Sequence, residues 1–308
     1  MESKPEVELP YKELVTTLKL SELTKFYNQL SAEINNPSIT LNIKNTLLQQ
    51  LKDNISLFPF DPSLYNHDNQ KDIDIILLNK NYAITSKEGK HNLLFYGYPS
   101  GNLLLLLINN ILLSIHNKSF PFTFYPLQGF SEKTTEPITN LNTIFQTFSL
   151  SNLSLSFLDI IKERGVLTLL GLRETTGSIN TFIPPSIDTL SKHFLEQHTK
   201  ENPKNPKVKI SILTVGARAL CKHSHRASEG FWPEATGKEI QKNKKAEEML
   251  KMFYEKCIWI NIHGLPHEIA IIELRVDKGY GIRWQIDGMF RGFLEPQMED
   301  GHEKGWRH

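Results

Sequence analysis

The chain contains 308 residues, of which 39% are hydrophobic and 22% charged, and its formal net charge is +1. These values are typical of a globular protein and exclude disordered, collagen-like and membrane-embedded classes. A charge close to zero provides no global attraction to nucleic acid or membrane, so neither partner is predicted. The length favours two domains over a single core.

The cysteines and the apolar segments point to an intracellular protein. Two cysteines, Cys221 and Cys257, are too few for a disulfide framework, and the charged N-terminus lacks the apolar segment of a secretion signal. We therefore expect a cytoplasmic protein, with the nucleus as an alternative. The most apolar run, residues 103–113, is interrupted by two asparagines and is shorter than the roughly 20 residues that cross a bilayer. It is predicted to be a buried helix.

Both helices and strands are predicted before residue 198. Apolar spacings of three and four residues indicate helices up to about Leu57 and again over 151–165, where Gly165 is the predicted end. Residues 72–85 and 91–99 have the pattern of strands. Residues 165–186 are predicted to be strand and loop. Ser186 is a predicted N-cap for the helix that follows it.

A change in composition divides the chain near residue 200. Residues 198–207 are polar, contain two prolines and are predicted to be a linker. All four tryptophans, both cysteines and six of the eleven histidines follow it. The prediction is a largely helical region with some strands over 1–197, the linker over 198–207, and a C-terminal α+β domain over 208–308.

The C-terminal domain is predicted to be an antiparallel meander packed against a helix. Thr236 and Glu239 have the spacing of a capping box, and an apolar stripe at helical period follows and ends at Cys257, which is interpreted as a core residue. Residues 258–263 alternate as in a strand. A three-residue loop at 277–279 and another at 286–288 then give two hairpins.

This register places several charged residues on one face of the sheet. It pairs Glu273 with Arg283 and sets Arg283 opposite Arg291, with Arg275 and His263 on the same side. Directly opposed like charges are destabilising. Water, the acidic C-terminal residues 299–303 or a bound anion can offset that repulsion. The candidate ligand-binding residues are therefore Arg275, Arg283 and Arg291, with His263 and Glu273 as candidate catalytic residues.

A second basic cluster lies in "LTVGARALCKHSHR", where Thr214 either caps a short helix or begins a loop. Its candidate ligand-binding residues are Arg218, His223, His225 and Arg226, which suit a phosphate group. A metal site that includes Cys221, or a nucleophilic Cys221, is a weaker alternative because no known ligand spacing or nucleophile signature is present. No metal or cofactor is assigned.

The order of "LTVGARALCKHSHR", "WINIH", "GYGIRW" and "FRGFLEPQMEDGHEKGWRH" resembles the C-terminal part of a conserved eukaryotic protein family without an established activity. The resemblance covers residues 212–308 and implies family membership without catalytic residues. Together with the charged clusters, it leaves two main hypotheses, with a nucleic-acid role ranked third because the net charge is near zero and no aromatic RNP-type strand is present. The first is an enzyme or binding protein for a phosphorylated or other anionic small molecule. The alternative is a non-enzymatic module that binds a protein partner through its N-terminal helices.

Overall fold

The computed structural model describes residues 82–87, 90–99, 103–148, 156–199, 210–224, 230–265 and 269–297. The helices are α1 (Leu103–Asn117), α2 (Thr135–Thr147), α3 (Ser156–Leu169), α4 (Ile187–Leu195), α5 (Val215–Ser224) and α6 (Glu239–Lys256). The strands are β1 (Tyr82–Lys87), β2 (Lys90–Phe95), β3 (Trp259–Leu265), β4 (Ile269–Arg275), β5 (Gly281–Gln285) and β6 (Phe290–Leu294). The helices predicted before residue 58 lie outside the described residues. None of the described helices combines the length and hydropathy needed to cross a bilayer.

Contacts divide the described residues into two units. The first contains those up to 125 together with 132–176 and 180–183. The second contains 126–131, 177–179 and everything from 184 onwards. The mixture of helices with a four-stranded antiparallel sheet confirms the predicted α+β class. The domain limits at 197 and 208 stay a prediction.

The first unit combines the β1–β2 hairpin with helices α1, α2 and α3. The apolar run is a helix, as predicted, and Asn110 inside it donates from Nδ2 to the carbonyl of Leu169 at 2.6 Å. This hydrogen bond satisfies a fully buried amide. Helix α2, which begins at Thr135, was not among the predicted elements.

Helix α3 does not end at Gly165 as predicted. It continues to Leu169, and Leu172 donates its backbone N–H to the carbonyl of Leu167 at 2.9 Å across Gly171, which has φ +90°. That is the hydrogen bond of a Schellman ending, and its left-handed residue is Gly171. The prediction of strand from residue 165 is therefore wrong up to Leu169.

The second unit packs α6 against the meander β3-β4-β5-β6. The rings of Tyr254 and Trp284 stack with centroids 6.1 Å apart, and Cys257 is fully buried. The core role of Cys257 is thus confirmed. Helix α6 begins at Glu239 with Lys238 as N-cap, so the predicted capping box at Thr236 is wrong. The side chain of Gln241 accepts the Lys238 N–H instead, at 2.8 Å.

The β4–β5 hairpin of the meander has the predicted register. Glu273 pairs with Arg283, and Val276 donates its backbone N–H to the carbonyl of Tyr280. The β5–β6 hairpin also has the predicted loop, because Gln285 donates its backbone N–H to the carbonyl of Met289. A bulge then shifts the pairing, so that Arg283 faces Gly292. The prediction that Arg283 faces Arg291 is wrong because Arg291 is the extra residue of the bulge.

Candidate functional site

The sheet face opposite the Trp284 side carries the predicted cluster of polar residues. Asn261, Glu273 and Arg283 are lateral neighbours on β3, β4 and β5, with His263 and Arg275 two residues away on their strands. Strand alternation places all five on one face. The structure therefore brings together four of the predicted site residues: His263, Glu273, Arg275 and Arg283.

Arg275 is occupied entirely by the protein itself. Its Nε donates to Oε1 of Glu273 at 2.5 Å, and its Nη1 donates to the carbonyls of Gly279 at 2.5 Å and Glu295 at 3.0 Å. The guanidinium also lies 4.9 Å from the centre of the Phe130 ring. Arg275 is only 3% exposed, so it acts as a buried tie between β4 and the chain after β6.

Glu273 is a fixed negative charge. Burial alone would raise the pKa of this carboxyl, but the hydrogen bond from His263 and the charge of Arg275 lower the pKa to about 2. The Arg275 contact is the shorter one, since His263 Nε2 lies 3.4 Å from Oε2. A carboxylate with so low a pKa holds no proton to exchange near neutral pH. No observation tests the catalytic roles of His263 and Glu273, and these stay predictions.

Helix α5 presents a basic face beside β6. Thr214 caps the helix by accepting the backbone N–H of Ala217 at 3.1 Å, which settles the choice between helix and loop. Gly216, Ala217 and Leu220 are buried. The residues spaced three and four apart on another face are Val215, Arg218, Ala219 and Lys222.

This face of α5 forms one wall of a cleft. The cleft has a volume of about 290 Å³ and is lined by His198, Val215, Arg218, Ala219, Lys222, His223, Phe290, Arg291 and Gly292. The bulge that removes Arg291 from the sheet face places it here. Among the described lining residues, Arg218, Lys222 and Arg291 carry fixed positive charges and none is acidic.

His223 is held by a carboxylate next to the cleft. Its Nδ1 lies 3.2 Å from Oε1 of Glu295, and Trp232 donates Nε1–H to the same oxygen at 2.8 Å. The rings of Trp232 and Phe293 lie 5.4 and 5.8 Å from the imidazole. A carboxylate at Nδ1 keeps the proton on that nitrogen and leaves Nε2 as the basic atom. The pair His223–Glu295 is therefore built to accept a proton.

His198 is the second histidine of the cleft. Its backbone N–H donates to the carbonyl of Leu213 at 2.8 Å, and Arg218 Nη1 lies 3.3 Å from its Nδ1. The same nitrogen lies 3.0 Å from the Thr199 hydroxyl, and since a guanidinium can only donate, Nδ1 is the acceptor in the Arg218 contact. Burial, followed by the charges of Arg218 and Lys222, lowers the pKa of His198. This lowered pKa favours the neutral form of the ring.

Two predicted residues of the basic cluster, His225 and Arg226, lie outside the described residues. The prediction did not include Trp232 or His198, which fell in the predicted linker. Lys222 belonged to the predicted basic cluster but was not named as a ligand-binding residue. The spacing of Arg218 and Lys222 by four residues was the signal that could have grouped them on one helical face. Among the described residues no three His, Cys, Asp or Glu side chains lie together as a metal site would require.

Comparison with known proteins gives one family. The sequence profile of the CdiA C-terminal tRNase toxin domain matches residues 190–295, about a third of the chain. A crystal structure of the toxic C-terminal tip of CdiA from Pseudomonas aeruginosa, in complex with an immune protein, is 24% identical. The alignment covers 35% of this chain and 100% of that one, with a TM-score of 0.27. No curated protein matches.

The family match corrects three of the predictions made from the sequence. The resemblance to a eukaryotic family without established activity is wrong, because the profile that matches is that of the CdiA C-terminal tRNase toxin domain. The predicted binding of a phosphorylated or other anionic small molecule is wrong, because the matched family is named for a tRNase. The alternative of a non-enzymatic interaction module is not favoured either.

Proposed function

We propose that the second unit is a ribonuclease that cleaves tRNA in the cleft between α5 and β6. The observation that carries this proposal is the position of the His223–Glu295 pair beside three cations in a cleft whose described lining contains no acidic residue. The segment that builds the cleft also lies within the match to a tRNase family. RNA suits the cleft because its backbone provides phosphates that the cations can bind and a 2′-hydroxyl whose proton His223 can accept.

The chemistry follows from the groups that line the cleft. His223 Nε2 takes the proton of a ribose 2′-hydroxyl, and the 2′-oxygen attacks the adjacent phosphorus. The bond from phosphorus to the 5′-oxygen breaks, and that oxygen takes a proton from water. The products are a 2′,3′-cyclic phosphate and a 5′-hydroxyl, and His223 returns its proton to solvent.

The remaining residues stabilise the transition state. Arg218, Lys222 and Arg291 supply positive charge where negative charge develops on the phosphoryl oxygens, and His198 donates Nε2–H to one of them. Electrostatic stabilisation of this kind is strongest when the donors are held in place before reaction. Helix α5 holds two of the cations, and the β6 bulge holds the third.

The absence of a global positive charge does not oppose this function. The sequence did not predict a nucleic-acid partner because the net charge is only +1. That value averages over the chain, whereas binding of phosphates depends on the local charge of the cleft. A protein partner that binds the N-terminal helices stays a prediction.

Cleavage of purified tRNA tests the proposal. The intact protein should fragment tRNA and leave single-stranded DNA of the same sequence uncut, because DNA lacks the 2′-hydroxyl. His223→Ala should lower the cleavage rate by about 10²–10⁴-fold, the usual contribution of a general base. The matched control is Lys251→Ala on the exposed face of α6. Equal rates for wild type and His223→Ala would refute the assignment.

A further inference from the structure

Within the part of the sheet face that the structure describes, Arg283 has a buried Nε with no hydrogen-bond partner. Glu273 is opposite Arg283 in the register, but its carboxylate is bonded to Arg275 and His263. Among the described residues, no group accepts a hydrogen bond from Arg283 Nε, which is buried, and no carboxylate forms an ion pair with it. A cationic donor left in this state is unusual in a native fold.

Arg283 lies on the strand next to the one that borders the cleft. Burial lowers the pKa of Arg283. The charges of Arg291 and Arg275 lower it further, and the charge of Glu273 opposes the change. The partner of Arg283 on β6 is Gly292, which lines the cleft and has no side chain. A Cβ atom built on Gly292 would contact nothing within 4 Å, so the space beside Arg283 is open.

The bulge separates two arginines that would otherwise oppose each other. Without it Arg283 and Arg291 would be directly paired, and the repulsion would be local. With it, Arg291 lines the cleft while Arg283 stays on β5 beside Gly292. The two cations therefore belong to neighbouring strands, one lining the cleft and the other on the adjoining sheet face.

We infer that Arg283 binds a backbone phosphate of the RNA next to the one cleaved, and so extends the substrate site from the cleft onto the sheet. This inference rests on the proposed function for the identity of the ligand. Arginine suits the role because its planar guanidinium can donate two hydrogen bonds to one phosphate. A contact of this kind positions RNA and raises affinity without taking part in bond breaking.

Salt-dependent binding tests the inference independently of cleavage. The probe is a fluorescein-labelled tRNA transcript, and the protein is the intact chain carrying His223→Ala. Fluorescence anisotropy gives Kd between 50 and 300 mM KCl. Adding Arg283→Met should weaken binding by about tenfold at the lowest salt and reduce the slope of log Kd against log salt by about 0.7–0.9, the value for one phosphate contact.

Two further variants keep the test decisive. Arg283→Lys retains a cation and should restore most of the slope, whereas Lys251→Met removes an exposed lysine of α6 and should change Kd by less than about twofold. Arg283→Met should melt no earlier than its parent, because the Nε that it removes has no partner. An unchanged slope in both Arg283 variants would overturn the inference and leave the proposed cleavage intact. Loss of slope with Arg283→Met, combined with no cleavage of tRNA by the wild-type chain, would overturn the ribonuclease proposal alone.

Discussion

Replacement of Glu295 by Gln tests whether the carboxylate of Glu295 supports His223 as the proposed general base. The substitution keeps an oxygen for Trp232 but removes the negative charge at 3.2 Å from His223 Nδ1. Both side chains are only about a fifth exposed, at 16% for His223 and 20% for Glu295, so water screens the interaction weakly. A hydrogen bond to a charged group contributes about 1.5–3 kcal/mol. Since about 1.4 kcal/mol corresponds to a tenfold rate change, the rate constant for cleavage should fall about ten- to hundredfold.

The assay is single-turnover cleavage of tRNA at pH 7, with Glu255→Gln on the exposed side of α6 as the matched control. A double-mutant cycle makes the result specific. In the His223→Ala background, Glu295→Gln should have little further effect, because its contribution passes through the imidazole. Equal losses in the presence and absence of His223 would refute this reasoning, since Glu295 would then act on RNA or on folding by another route.

Three further predictions concern the scaffold. The pKa of Glu273 falls from its ordinary value of 4.5 to about 2 on folding, so about 3 kcal/mol of stability should be present above pH 4.5 and lost as the pH falls towards 2. Urea unfolding should show the advantage over Glu273→Gln shrinking in that window, and a constant difference would contradict it. Gly216→Ala would place a Cβ 2.2 Å from the Phe194 ring, so thermal unfolding should show a loss of about 1–3 kcal/mol; an unchanged melting temperature would count against this packing. Iodoacetamide should label the partly exposed Cys221 but not Cys257 in the folded protein, because burial hides the second thiol and raises its pKa. Detection by mass spectrometry of label on Cys257 before Cys221 would contradict this prediction.

The sequence predicted the elements that local signals determine. The alternation around Ile260 and the loop at 277–279 gave the correct first hairpin and the shared face of Glu273 and Arg275, because strand period and turn geometry act over a few residues. The end of α3 was misplaced because two glycines, Gly165 and Gly171, were available. Only contacts with the rest of the unit decide which one takes the left-handed conformation.

The candidate site depended on features that no local pattern contains. The bulge at Arg291 inserts a single residue, and the sequence of β6 does not show where the extra residue falls. His198 reaches the cleft because residues 196–198 bond to 213–215, a pairing between segments separated by the predicted linker. Glu295 and Trp232 meet His223 from distant parts of the chain. The sequence therefore identified individual cations of the site, whereas tertiary contacts between distant segments determine how they come together.

The chemistry of the RNA ends tests the central claim most directly. Attack by a ribose 2′-hydroxyl at the His223 cleft requires upstream fragments that end in a 2′,3′-cyclic phosphate and downstream fragments that begin with a 5′-hydroxyl. Mass spectrometry of the products released from tRNA by the intact protein distinguishes these ends from others. Cyclic phosphate in the wild-type digest and its absence with His223→Ala are the predicted results. Fragments with a 3′-hydroxyl and a 5′-phosphate would contradict the mechanism.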